Sequence, residues 1–118
     1  WLVREQWQQS CLGDRCPELL SSNSLGKLNS QQVELIHHWM EIQRNCLMMF
    51  TSCGWFFDDP SGLEPVQVLR YAKRALDLFS QIEDNDLESG LLERLSPMLS
   101  CDSKTPTGRD IWEQLVVE

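Results

Sequence analysis

Apolar residues recur at helical intervals along the chain from residue 30 onward. In the first such stretch they are three, four or seven residues apart, at Val33, Ile36, Met40, Leu47 and Phe50. Residues at these spacings share one face of an α-helix. Ser30 stands where an N-cap residue is preferred. The pattern predicts one long helix over residues 30–57.

A tight turn follows this helix, in the sequence DDPSG. Asp59, Pro60, Ser61 and Gly62 fit the four positions of a type I turn. A second long helix is predicted to begin near Pro65, because a first helical turn does not need the N–H that proline lacks. Its apolar positions are Val66, Leu69, Ala72, Leu76, Phe79 and Ile82. Two long helices joined by so short a turn are expected to pack antiparallel.

Two shorter helices are predicted after the second long one. The first covers residues 86–95 and is limited by Pro97, which cannot continue a helix. The second begins at a capping box, in which Thr107 is followed three residues later by Asp110. Its apolar residues are Ile111, Trp112, Leu115 and Val116.

The N-terminal region gives a weaker pattern. Residues 1–29 are punctuated by glycine, proline and serine and are predicted to form a loosely structured lead-in, with a short helix over residues 1–10. Residues 30–118 are predicted to form the helical core of a single domain, residues 1–118. The predicted fold class is all-α, an antiparallel helical bundle built on two long helices, with shorter helices at both ends.

Charge and hydropathy exclude two classes of partner. The 118 residues carry a formal net charge of −8, and the basic residues are thinly spread. Such a chain cannot neutralise a run of phosphates, so no nucleic-acid partner is expected. No apolar stretch is long enough to cross the roughly 30 Å core of a bilayer, so no membrane span is expected.

Cysteine usage indicates the cellular compartment. The five cysteines contain neither a CxxC pair nor histidines at zinc-finger spacing, so no metal site is predicted, and no cofactor motif is present. Reduced thiols are typical of a cytoplasmic protein. The chain begins with Trp1 and shows no signal-peptide pattern, which indicates a fragment of a larger protein.

Three consecutive aromatic residues, Trp55, Phe56 and Phe57, are the candidate functional feature. On a helix they span too wide an arc to face one core, so at least one is expected to point elsewhere. An exposed indole beside the carboxylates of Asp58 and Glu64 is typical of a sugar-binding wall. Contact with another domain is the alternative, and the residues alone favour it. Catalysis by paired carboxylates is the weaker interpretation, because the turn and the helix N-terminus already account for the acids.

Several segments resemble a known family. They are MEIQRNCL, TSCGWFFD, SGLEPVQ, LLERL and GRDIWEQLV, within residues 32–117, and the most specific are TSCGWFFD and SGLEPVQ. They resemble the C-terminal helical domain of unknown function, DUF3536, that follows the catalytic barrel in family 57-like glycoside hydrolases.

The resemblance implies an accessory role. Family 57 enzymes act on α-linked glucans as hydrolases or glucanotransferases, with both catalytic carboxylates in the barrel, so no catalytic residue is assigned to this chain. The implied partner is the barrel domain of the same chain, with an α-glucan in the cleft between them. Trp55, Asp58 and Glu64 are expected nearest that cleft, and Phe56 is expected to anchor the docked domain. The alternative is a structural or protein-interaction module that self-associates and does not contact substrate.

Overall fold

The computed structural model describes residues 29–56 and 58–117, which are helices joined by turns. In those two ranges no strand forms, and Leu99 pairs with Thr107 in a single antiparallel bridge. The all-α fold class is confirmed. Residues 1–28 of the predicted lead-in, residues 1–29, lie outside the described residues. The helices are α1 (Ser30–Met48), α2 (Cys53–Phe56), α3 (Leu63–Ser80), α4 (Leu87–Leu95) and α5 (Gly108–Ile111), which continues into a π-helical turn (Trp112–Val116).

The chain divides into two compact units, Trp1–Met40 and Glu41–Glu118. Within the first unit the structure describes residues 29–40, which form the N-terminal part of α1. The second unit contains the remaining helices. None of the helices in the described part of the chain is both long and apolar enough to cross a membrane.

The N-terminus of α1 is capped by Asn29, so the prediction of Ser30 as N-cap was wrong by one residue. The Gln32 N–H donates to Asn29 Oδ1 at 2.8 Å, and the Asn29 N–H donates to Gln32 Oε1 at 3.0 Å. This reciprocal pair is a capping box, with asparagine in place of serine or threonine. Ser30 is instead the first helical residue.

α1 ends at Met48, so the prediction of one helix over residues 30–57 was wrong. The Phe50 and Thr51 N–H groups donate to carbonyls three residues back, those of Leu47 and Met48, each at 3.2 Å. Bonds of this kind tighten a last helical turn and close it. The β-branched Thr51 and the following serine favour a helix end here, and the chain re-enters a helix only at α2.

The apolar stripe predicted for α1 is also only partly buried. The buried residues of the helix are Ile42 and Asn45, which lie outside the predicted stripe. Of the stripe itself, Leu47 and Phe50 are 68% and 75% exposed. Leu47 lies roughly 200° around the helix from Asn45 at about 100° per residue, and so faces away from it. Phe50 lies beyond the helix end.

The turn before α3 forms as predicted. The Gly62 N–H donates to the Asp59 carbonyl at 3.2 Å, which closes the four-residue turn. Pro65 lies in the first turn of α3, where its missing N–H costs nothing. α4 begins one residue after the predicted start and ends at Leu95 as predicted.

The core of the second unit surrounds Trp112, which is 1% exposed. Its indole Nε1–H donates to Glu88 Oε1 at 3.0 Å, so the buried donor has an acceptor on α4. Val66, Ile111 and Val116 complete the buried cluster. The half-buried residues that pack on it include Leu69, Ala72, Leu76, Leu91, Leu92, Leu95 and Leu115, so the predicted apolar face of α3 is confirmed at Val66, Leu69, Ala72 and Leu76.

The C-terminal segment reaches this core by changing helix type. The predicted capping box is present, with Thr107 Oγ1 accepting from the Asp110 N–H. After Ile111 the backbone widens, and the Val117 N–H donates to the Trp112 carbonyl five residues back at 3.0 Å. Ile111 and Val116 would lie about 140° apart on an α-helix, which would leave one of them outside the core. The π-helical turn allows both to be buried.

One basic residue of α3 stabilises the π-helical turn by hydrogen bonding. Arg70 donates from Nε and one terminal nitrogen to the Leu115 carbonyl, at 3.2 and 2.9 Å. Lys73 forms an ion pair with Asp77, one helical turn further along α3.

A polar cluster occupies the part of α1 in the second unit. Arg44 binds Glu41 through two hydrogen bonds, the shorter at 2.6 Å, and the buried Asn45 side chain donates to the Glu41 carbonyl at 2.8 Å. The pKa of Glu41 is lowered, first by the hydrogen bond from Arg44 and more weakly by the positive charge of Arg74 on α3. The antiparallel pairing of α1 with α3 stays a prediction.

Gly108 allows α5 to approach the C-terminus of α4. A Cβ at this position would lie 2.2 Å from the Leu95 carbonyl oxygen, and the Gly108 N–H donates to the Met98 carbonyl at 2.8 Å. Gly108→Ala is expected to lower the free energy of unfolding by roughly 1–3 kcal/mol, because backbone must shift to admit the methyl group. Urea unfolding of the 118-residue chain measures this.

Gly90→Ala is the matched control for this prediction. It lies within α4, and a Cβ there would meet nothing within 4 Å. It is expected to raise the free energy of unfolding by about 0.5–1 kcal/mol through helix propensity. Equal effects of the two substitutions would contradict the proposed close contact at Gly108.

Candidate docking surface

α2 presents aromatic side chains to solvent. Trp55 is 75% exposed and Phe56 is 74% exposed. The prediction that at least one residue of the aromatic run points away from the core is therefore confirmed. Phe57 lies outside the described residues. Phe50 before α2 and Leu63 after it are equally exposed, so large apolar side chains recur at the surface from residue 50 to residue 63.

This degree of exposure is costly in water. Four large apolar side chains at three-quarters exposure present on the order of 500–600 Å² of surface, given that an aromatic side chain buries ~150–250 Å² in a core. Patches of this size on a monomer commonly mark an interaction site. We define the described residues in this stretch, 50–56 and 58–63, as the aromatic segment.

α2 is held in place by a close contact with α3. A Cβ on Gly54 would lie 2.4 Å from Val68 Cγ2, so only glycine admits this approach. The Trp55 N–H donates to the Ser52 carbonyl at 3.3 Å and the Gly54 N–H donates to the Thr51 carbonyl at 3.1 Å. The aromatic side chains therefore project from a backbone that packs on a long helix.

The two acidic residues assigned to the site differ in exposure. Asp58 is exposed and follows the aromatic run, whereas Glu64 is half-buried in the first turn of α3. Within the described residues neither carboxylate has an ion-pair partner. Trp55, Phe56, Asp58 and Glu64 lie within ten residues of one another along the chain.

Asp59 joins the aromatic segment to a distant part of the chain. Its Oδ1 accepts from the Ser61 N–H at 2.8 Å, from the Ser61 hydroxyl at 2.7 Å and from the Ser100 hydroxyl at 2.9 Å. Its Oδ2 accepts from the Cys101 N–H at 2.8 Å. One carboxylate therefore connects the turn before α3 to the loop between α4 and α5.

These hydrogen bonds shift the pKa values of two groups, the Asp59 carboxyl and the Cys101 thiol. The Ser61 hydroxyl and N–H, followed by the Cys101 N–H and the Ser100 hydroxyl, hold the pKa of Asp59 well below its usual range. The ionised carboxylate in turn raises the pKa of the neighbouring Cys101 thiol. Asp59 is therefore a fixed negative charge at neutral pH, and it serves structure.

The geometry of the described residues supports binding. In the described ranges no group of three or more histidine, cysteine, aspartate or glutamate residues could hold a metal ion. The Asp59 carboxylate, whose pKa is strongly lowered, accepts hydrogen bonds from four donors and so serves the structure. What the surface offers is apolar area with carboxylates beside it.

Sequence reasoning missed three exposed residues of this region. Phe50 was assigned to a buried stripe, and Leu63 and Leu99 were not singled out, although Leu63 and Leu99 are 75% and 76% exposed. Leu63 lies three residues before Val66, a spacing that extends the α3 stripe, so spacing alone gives no signal of its exposure. For Leu99 the sequence contains no signal either, because its position depends on a contact of Asp59 with residues about forty positions away.

Comparison with known proteins identifies the family. The profile of the family described as Domain of unknown function (DUF3536) matches residues 2–118. The chain belongs to this family. No curated protein and no solved structure matches the chain.

Gly54→Ala is expected to loosen α2, because the new methyl group collides with Val68. The Trp55 amide should then exchange with solvent faster, by roughly ten-fold for each ~1.4 kcal/mol by which opening is eased. Hydrogen exchange followed by NMR measures this. Adding Val68→Ala to Gly54→Ala should restore part of the protection, with Val68→Ala alone as the control. Unchanged exchange in Gly54→Ala would refute the contact.

Asp59 is also expected to make stability depend on acid pH. Its pKa is lower in the folded chain than the ordinary 3.8, so its stabilising effect is complete above that value. The effect is lost as the pH falls through 3.8 towards the lower folded-state pKa. The difference in free energy of unfolding between wild type and Asp59→Asn should therefore be largest near neutral pH and shrink in acid.

Asp58→Asn provides the control for the acid measurement. Its carboxylate is adjacent in sequence, is exposed and has no described hydrogen-bond partner. Urea unfolding between about pH 7 and about pH 3 should give a small and nearly constant difference from wild type for this variant. A constant difference for Asp59→Asn as well would refute the role of its ionised form.

Proposed function

We propose that the chain is an accessory helical domain of a family 57-like glycoside hydrolase. It docks on the catalytic barrel of the same chain through the aromatic segment and lines part of the α-glucan-binding cleft. The barrel supplies the catalytic carboxylates, so the enzyme is a hydrolase or glucanotransferase acting on α-glucans and the chain has no catalysis of its own. The enzyme acts in the cytoplasm, where the cysteines stay reduced.

The observation that carries this proposal is the exposure of Trp55 and Phe56 on a helix seated by Gly54. A domain that left these side chains in water would lose the free energy gained by burying them, about 25 cal/mol per Å². Docking on a second domain recovers it. The resemblance of TSCGWFFD and SGLEPVQ to the domain that follows the family 57 barrel supports the barrel as that second domain.

The residues divide between docking and substrate contact according to their chemistry. Phe56 is purely apolar and suits a buried anchor. An indole has an apolar face that can cover the C–H groups of a sugar ring and an N–H that can donate a hydrogen bond. Asp58 is exposed beside it and can accept hydrogen bonds from sugar hydroxyls. We therefore assign Trp55, Asp58 and Glu64 to the cleft edge and Phe56 to the docked face.

The antiparallel pairing of α1 and α3 is part of this proposal. It would turn the chain at residues 49–62, which places the aromatic segment at the reversal between two long helices. Disulfide or distance measurements between the ends of α1 and α3 would test it.

The exposed apolar surface also favours a second candidate, a structural module without substrate contact. In that case the aromatic segment is covered by another domain or by a second copy of the chain, and sugar never reaches Trp55. The isolated chain would then dimerise at micromolar concentration, as a sedimentation experiment would show.

Trp55→Ala in the full-length enzyme separates the candidates. If Trp55 lines the cleft, kcat/KM on an α-glucan should fall by roughly ten-fold or more, as expected for a buried tryptophan contact. The free energy of unfolding of the 118-residue chain should stay within about 0.5 kcal/mol of wild type, because the side chain is exposed there.

Trp39→Ala is the matched control, since it removes another exposed tryptophan, 44% exposed, from the first unit. Its kcat/KM should equal that of wild type. Unchanged kinetics in Trp55→Ala together with a lower melting temperature of the full-length enzyme would support docking without substrate contact. Unchanged kinetics and unchanged melting would reject both roles of this tryptophan.

A further inference from the structure

The surface around the aromatic segment extends onto a second part of the chain. Leu99, in the loop between α4 and α5, is 76% exposed, the same degree as Trp55 and Leu63. Leu99 immediately precedes Ser100 and Cys101, both of which donate hydrogen bonds to the Asp59 carboxylate. Asp59 lies inside the aromatic segment. The loop that carries Leu99 is therefore bonded directly to the segment that carries Trp55 and Leu63.

The loop around Leu99 is itself held at both ends. The Ser100 N–H donates to the Pro106 carbonyl at 3.0 Å, and the Gly108 N–H donates to the Met98 carbonyl at 2.8 Å. The Thr105 N–H donates to the Asp102 carbonyl at 3.2 Å, and the Thr105 residue is 2% exposed. Leu99 thus stays at the surface although its backbone is fixed by hydrogen bonds. A fixed and exposed leucine is a ready contact for a partner.

The charged residues that neighbour these apolar residues along the chain are mainly negative. Asp58 and Asp102 are exposed and Glu64 is half-buried, whereas Lys104 is the nearby cation in the described loop. The whole chain carries a formal net charge of −8. A partner surface with an apolar centre and a rim of lysine or arginine is complementary to this arrangement.

The exposed apolar area approaches what one partner buries in a stable interface. With Leu99 added, five large side chains expose on the order of 600–700 Å² of apolar surface, by the same estimate of ~150–250 Å² for a fully buried aromatic side chain. A standard protein interface buries about 800 Å² on each partner. The apolar area of the aromatic segment together with Leu99 is closer to that figure than the area of the aromatic segment alone.

We propose that the docking surface is discontinuous: it consists of the aromatic segment and Leu99, joined by Asp59, and it binds a protein surface with an apolar centre and a basic rim. This inference rests on the proposed function, which names that protein surface as the barrel domain of the same chain. Asp59 is a positioning residue in this surface, because it contacts no partner itself and fixes the loop that does.

Two cysteines report separately on the two parts of the surface. Cys53 is exposed on α2, and Cys101 is exposed two residues after Leu99. We would measure the rate of iodoacetamide alkylation at each thiol by peptide mass spectrometry, in the full-length enzyme and in the 118-residue chain. Both thiols should react about ten-fold or more slowly in the full-length enzyme, because a covered thiol reacts only when the interface opens.

The outcomes distinguish the two proposals. Slower alkylation of Cys53 with an unchanged rate at Cys101 would overturn the discontinuous surface and leave the proposed function standing. Unchanged rates at both thiols would overturn both. Slower alkylation of both thiols in the 118-residue chain as its own concentration rises would show a second copy as the occupant and would overturn the barrel as partner.

Substitutions test the individual residues in the full-length enzyme. Leu99→Ser should raise the Cys101 rate several-fold towards that of the 118-residue chain, whereas the matched control Leu87→Ser, at a leucine 54% exposed on α4, should not. Equal effects would overturn the role of Leu99. Asp58 is assigned to the edge where the cleft borders the docked face, so Asp58→Lys also reverses a charge at the rim of the interface and should raise the Cys53 rate. No change in that variant would overturn the basic rim of the partner.

Discussion

The burial of one indole is the constraint on which the second unit depends. Trp112 is almost fully enclosed, and a buried N–H must have an acceptor. Glu88 supplies it, which fixes α4 beside the C-terminal segment. Val66 supplies an apolar wall, which fixes the beginning of α3 against the same indole. Because the turn at residues 58–62 runs directly into α3 and α2 packs on Val68, the position of the aromatic segment follows from this core.

Elements with a local chemical cause were predictable from the sequence. The four-residue turn at residues 59–62, the capping box at Thr107 and the end of α4 at Leu95 depend on residues within four positions of one another. The end of α1 was not predictable from apolar spacing, because the spacing continues to Phe50 after the backbone hydrogen bonds have already changed at Met48. Asn29 was missed as N-cap only because Ser30 also fits, and the asparagine to glutamine spacing was the better signal.

The candidate surface was half predictable for a similar reason. Consecutive aromatic residues on a helix cannot share one core, so exposure of at least one of Trp55, Phe56 and Phe57 followed from geometry alone. Leu99 could not be found in this way. Its place beside the turn depends on Asp59, whose partners lie 41 and 42 positions further along the chain. Asp59 already fits the first position of its turn, so the sequence gives no sign that its carboxylate also accepts hydrogen bonds from a distant loop.

The π-helical turn at Trp112–Val116 makes the C-terminal segment sensitive to its own length. A π-helical turn contains more residues than an α-helical turn. The additional residue places Ile111 and Val116 on the same face of the helix. Shortening the segment by one residue would let the backbone relax to ordinary helix. The Leu115 carbonyl would then move away from the Arg70 guanidinium that donates to it. Every later side chain would also rotate about the helix axis.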